Sequence, residues 1–172
     1  MTKDAGQQAA LPGLISVLED EVKVYRTLLD IVRKEKDILV SANLDDLNEN
    51  NRSKEAMLLK IRALEAQRLK SAVEVYLQLG LSGEQPRLLE IARHVETEPA
   101  EKLRNIHSVL DLLLRRIQEF NRNNEDLVQS ALTNVTGAMN AIKASVQEKP
   151  TYQKKGEVEG VTKAGHLVSR EA

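Results

Sequence analysis

The last long helical stretch of this chain carries two apolar stripes in succession. Leu103, Ile106, Leu110, Leu113, Ile117 and Phe120, then Leu127 and Ala131, follow one another largely in three- and four-residue steps. A second stripe, displaced by one position, reads Val128, Leu132, Val135, Met139, Ile142 and Val146. Such spacing gathers side chains on one face of a helix. An apolar face in water needs something to cover it. The rest of the chain is long enough to cover the first stripe and too short to cover the second.

Two further helices supply that cover. Leu11, Ile15, Leu18, Val22, Tyr25, Leu29, Val32 and Leu39 keep a 4-3-4-3 rhythm in which Lys36 is the one polar member. This is a heptad pattern and predicts a helix over 12–41, with Pro12 suited to its first turn. Asn43 has the chemistry of an N-cap, with Asp45 and Asp46 favourable beside the helix dipole. The second helix is expected over 44–79. Leu44 and Leu47 open it, a polar run follows at 48–55, and Leu58, Ile61, Leu64, Leu69, Val73, Tyr76 and Leu79 resume the packing. Gly80 is its natural stop. A short helix over 86–94 and a long one over 98–148, capped by Thr97 or Glu98 and ended before Pro150, complete the set. Residues 1–10 read as a disordered leader, and 149–172, broken by Gly156, Gly160 and Gly165, as a flexible tail.

The fold expected is therefore all-α. It is an elongated antiparallel three-helix bundle of the coiled-coil type with a long projecting C-terminal helix. At 1.5 Å per residue the three long helices span roughly 45, 54 and 76 Å, which leaves the third overhanging by roughly 20 Å. The second stripe lies mostly on that overhang.

Composition narrows the chemistry. The chain has no cysteine, which removes disulfides, thiol catalysis and thiolate metal sites together. A net charge of −1 gives no global field to attract nucleic acid. No run of about twenty apolar residues offers a membrane span. There is no phosphate-binding glycine loop, no HExxH and no Glu-x-x-His pair, so neither an enzyme nor a cofactor is expected. Glu90 and His94 stand one turn apart, and His94 alternates with Glu96 and Glu98; a solvated turn is favoured there over a metal site. Asn124 falls on the core stripe within a cluster formed with Asn121, Arg122 and Asn123. It is read first as a register-setting buried Asn, facing the polar run 48–55 in one polar layer. The alternative makes it a polar element at the mouth of a partner groove.

The second stripe has two readings. Val128, Leu132, Val135, Met139, Ile142 and Val146 can receive an amphipathic helix of a client, with Met139 as the adaptable contact. They can also pair with a second copy in a structural coiled coil that self-associates. Client binding is favoured. Tyr152, the lone aromatic of the tail, is a candidate docking anchor.

The order of segments resembles a known family. An N-terminal helix reading LEDEVKVYRTLLDIVRKEKDILVSANLDDLNE is followed by SKEAMLLKIRALEAQR, then NRNNEDLVQSALTNV, then KPTYQKKGEV. Together they are similar to the FlgN family of flagellar type III export chaperones, over about residues 11–157. The resemblance implies a cytoplasmic bacterial chaperone whose clients are the hook-associated, or hook–filament junction, proteins. It implies that the C-terminal helix, here about 127–146, binds the helix-forming end of the client. It also implies that the tail tyrosine, by position Tyr152, docks on the cytoplasmic domain of the export gate. The tail after Gly160 has no counterpart in this resemblance.

Overall fold

A computed structural model describes residues 4–81 and 85–147. Four helices account for nearly all of them: α1 (Asp4–Ser41), α2 (Leu44–Gln78), α3 (Leu88–His94) and α4 (Thr97–Gln147). No strand occurs among the described residues. The fold is an all-α bundle. The chain divides after Val128 into two units, and the first of them holds the bundle and its core.

Local chemistry sets the helix ends. The Asn43 side-chain oxygen accepts from the Asp45 and Asp46 amides at 3.1 and 3.2 Å, and its amide nitrogen donates to the Asp46 carboxylate at 2.8 Å. Orphan N–H groups at the start of α2 are thus satisfied. At the other end Gly80 takes a φ of 68°. Leu81 N–H donates to Tyr76 C=O and Gly80 N–H to Leu77 C=O, the two bonds of a Schellman stop. The turn between α1 and α2 lacks a glycine. Ala42 holds a φ of 53° there, a left-handed conformation that strains a residue with a Cβ. Ala42→Gly is expected to stabilise the protein by about 0.5–1 kcal/mol in urea unfolding, the relieved strain outweighing the added freedom of the unfolded chain. A loss of stability would show that the turn is relaxed as it stands.

Several boundaries and faces differ from the sequence expectation. α1 begins at Asp4, not after a ten-residue leader, and Pro12 lies inside it. Proline removes one bond, to the Gln8 carbonyl, and the alanine-rich run before it keeps the helical geometry. α3 starts at Leu88, with Arg87 extended at its N-cap. α4 starts at Thr97, so neither Thr97 nor Glu98 is its cap; Ala100 N–H donates to the Glu96 carbonyl. In α1 the most buried line is Leu14, Leu18, Glu21, Leu28, Val32 and Ile38, with Glu35 half-buried on it. Lys36 is in solvent. In α2 the inward residues are Met57, Ile61, Leu64, Arg68, Ala72 and Val75, while Leu58, Leu69 and Val73 face out.

Side-chain pairs give the directions. Glu21 meets Arg68, Tyr25 meets Glu65 and Glu35 meets Lys54, so α1 and α2 run antiparallel. Glu19 meets Lys102 and Glu35 meets Asn124, so α4 runs parallel to α1. The core lies in two clusters. The larger joins Leu14 and Leu18 of α1, Val75 and Tyr76 of α2, Ile91 of α3 and Leu103 of α4, among others. The smaller holds Leu28, Val32, Ile61 and Ile117, with Tyr25, Met57 and Phe120 packed against it.

Candidate functional site

Every residue from Glu125 to Val146 is exposed. Within this stretch Val128, Leu132, Val135, Met139, Ile142 and Val146 have relative exposures from 50% for Val128 to 70% for Val146. The helix is unbroken through them. Leu132, Val135, Met139, Ile142 and Val146, all in the second unit, keep a 3-4-3-4 spacing that places them on one narrow arc. Polar neighbours bond inward to their own helix. Thr133 Oγ1 donates to the Gln129 carbonyl, Thr136 Oγ1 to that of Leu132 and Ser145 Oγ to that of Ile142. A hydroxyl bonded to its own backbone presents little polarity to the surroundings. Gly137 has open space where a Cβ would stand, so no close contact requires a glycine there. Lys143 is the only basic residue between Arg122 and Lys149. The face is therefore aliphatic and nearly uncharged, chemistry suited to an apolar helix and poorly suited to phosphate or an anionic surface.

The polar residues are brought together much as the sequence pattern predicts. Asn124 is buried at 4% exposure. Its amide nitrogen donates to the Val32 carbonyl at 3.0 Å and to the Glu35 carboxylate at 3.1 Å. Glu35 also pairs with Lys54, whose polar neighbourhood in α2 includes buried Asn50. Asn124 is thus a structural residue of a layer that spans all three long helices. The layer is incompletely satisfied: Asn124 Oδ1 and Asn50 Nδ2 have no hydrogen-bond partner. Each such orphan costs about 1–3 kcal/mol. A polar layer with that cost fixes register, because sliding either helix would bury more orphans.

The pair Glu90 and His94 is not drawn into a site. His94 is exposed, with Nδ1 2.9 Å from the Glu90 carbonyl oxygen, and the Glu90 carboxylate accepts from the Tyr76 hydroxyl. Among the described residues no three His, Asp or Glu side chains gather as metal ligands would. No helix of the described residues is long and apolar enough to cross a membrane. Tyr152 and the tail from 149 lie outside the described residues.

One cluster escapes a reading by stripes. Glu21, 2% exposed, accepts from Arg68 Nε at 3.1 Å inside the bundle. Tyr25, one turn on, donates to Glu65 at 3.4 Å. Beside them opens a cavity of about 480 Å³, which Leu18, Leu110, His107 and Asp111 also line. Burial pushes the Glu21 carboxyl up from its ordinary value, and the Arg68 cation only partly offsets this. Burial and the nearby Glu65 and Glu21 carboxylates push the Tyr25 phenol up to about 12. The one hint in the sequence is that Glu21 and Glu35 sit two heptads apart on the line through Leu14, Leu28 and Val32.

An all-helical chain with a register-setting Asn and an exposed aliphatic stripe near its C-terminal end has a match among known families. The family described as FlgN protein matches residues 10–160. The chain belongs to the FlgN family. No curated protein and no solved structure matches it. FlgN proteins are flagellar chaperones, so membership places the chain in a chaperone family. The FlgN match covers both the bundle and the exposed stripe, and ends where the tail loses its resemblance, at Gly160.

Proposed function

We propose that this protein is a cytoplasmic export chaperone. It binds the helical terminus of a flagellar hook-associated, hook–filament junction protein and delivers it to the type III export gate. Val128, Leu132, Val135, Met139, Ile142 and Val146 form the holding surface. The observation that carries this reading is the exposure of all six. Junction proteins assemble through amphipathic terminal helices; covering such a helix blocks premature assembly. Affinity comes from apolar burial, set against the ordering of both segments. A pull-down with the isolated terminal helices of junction proteins tests the reading. Retention of such a helix supports it, and failure to retain any of them contradicts it.

Tyr152 serves the second step, docking on the cytoplasmic domain of the gate. Tyr152→Ala is expected to leave client affinity unchanged and to weaken gate binding at least about tenfold, the effect of losing one aromatic anchor. Equal loss of client binding in that variant would mean that the tail helps hold the client.

A second reading has its own observation. The 4-3-4-3-4 spacing of the stripe is the same in both directions, so an antiparallel second copy would match it side chain for side chain. Sedimentation of the purified protein separates the two. A stable, concentration-independent oligomer favours self-association as the main role; a monomer that is taken up by client favours the chaperone.

A further inference from the structure

We infer that the bundle is jointed at the Glu21–Arg68 layer and opens in its distal half as a cooperative unit while the α3-capped half stays closed. The two core clusters are unequal. Eleven buried residues from four helices make up the first, and four from three helices make up the second. Between them buried apolar packing continues on α4 through Leu113, whereas on the α1–α2 side it gives way to an ion pair, a tyrosine–carboxylate contact and the 480 Å³ cavity. The smaller cluster ends at its far side in the Asn124 layer, where two buried polar atoms lack partners. Beyond that layer the α1–α2 turn carries the strained Ala42, and Val40 and Leu44 beside it are exposed.

Cooperative opening follows the continuity of apolar packing. A block bounded on both sides by polar layers shares few contacts with its neighbour, so it can be lost without dissolving the neighbour. The groups facing the joint come from every element around it: Glu21 and Tyr25 of α1, Glu65 and Arg68 of α2, Arg87 before α3, and His107 and Asp111 of α4. Water can solvate all of these on opening, which lowers the cost of parting at this level. In the α3-capped half the Tyr76 hydroxyl meets the Glu90 carboxylate and Glu19 pairs with Lys102 in an exposed bridge, but no buried ion pair occurs there among the described residues; the Ile91 and Leu103 side chains at its centre are fully buried.

Native-state hydrogen exchange of the full chain, followed by mass spectrometry across low urea concentrations, tests this. Amides at 24–36, 54–64 and 113–124 should form one class, at least about tenfold less protected than those at 14–18, 72–79 and 100–106. The change should fall as a step near Glu21 and Arg68. Equal protection in both sets would overturn the inference, and so would a smooth decline toward the 41–44 turn, which is simple fraying. In Glu21→Leu/Arg68→Met the apolar packing becomes continuous on the α1–α2 side as well, and the two classes should merge into one; a folded double variant that keeps both classes also overturns it.

Discussion

Val135→Asp and Ile142→Asp are each expected to abolish client binding while far-UV circular dichroism stays close to that of the parent. Val135 and Ile142 are 58% and 63% exposed. Replacing them in the free protein buries no charge, and the helix loses only the propensity difference, well under about 1 kcal/mol. In the complex the same carboxylate would be pressed into an aliphatic interface. The loss of side-chain burial, about 1.5–3 kcal/mol, adds to a desolvation penalty of about 2 kcal/mol or more. Together these weaken affinity by a factor of several hundred or more. Titration calorimetry with a client terminal helix measures the effect. Binding that survives both substitutions would remove the stripe from the account.

The second large effect concerns stability and is asymmetric. Arg68→Met should destabilise the bundle by about 3 kcal/mol, because it leaves the Glu21 carboxylate, 3% exposed, without its cation. Glu21→Gln should change stability by no more than about 1 kcal/mol. The Arg68 side chain is 37% exposed, so water can take over its charge, and the glutamine oxygen can still accept its N–H. The pH dependence fixes the sign. Burial raises the Glu21 carboxyl above its ordinary 4.5, so its folded form holds a proton more readily than the unfolded chain does. Its favourable contribution is fully present below 4.5 and is lost as pH rises through the raised folded value. Without Arg68 that value rises further, and acidification from pH 7 toward 5 should recover more stability in Arg68→Met than in the parent. Glu21→Gln should lack this component. Urea midpoints of the three proteins at several pH values provide the measurement; equal destabilisation by both single substitutions would show that the pair acts as an ordinary surface bridge.

How legible was this in the sequence? Helix identity and most ends were, because Asn43, Gly80 and the apolar steps act locally. Asn124 was legible too: a polar residue on an otherwise apolar line of α4, with a polar run in α2 to face it. The faces of α1 and α2 were less so. α1 packs against both α2 and α4, so its apolar surface is wide, and a single heptad line through Leu11, Val22 and Leu29 follows only one edge of it. α2 carries apolar side chains inside, at Ile61 and Val75, and outside, at Leu59, Leu69 and Leu77. Two such faces blur the periodicity that would tell them apart. Glu21 and Arg68 carried no signal of their own, because charged side chains are seldom fully buried and only their partnership across two helices makes burial tolerable. Ala42 gave no sign, since its left-handed backbone comes from the turn and not from its own preference.

The membership of the chain in the FlgN family does not by itself say which surface does the holding. Site-specific photocrosslinking does so most directly. A benzoyl-phenylalanine placed at Val135 or Ile142 should crosslink to the terminal helix of a junction protein, and one placed at Leu69 or Leu77 on the outer face of α2 should not. Crosslinks from α2 with none from the stripe would contradict the account.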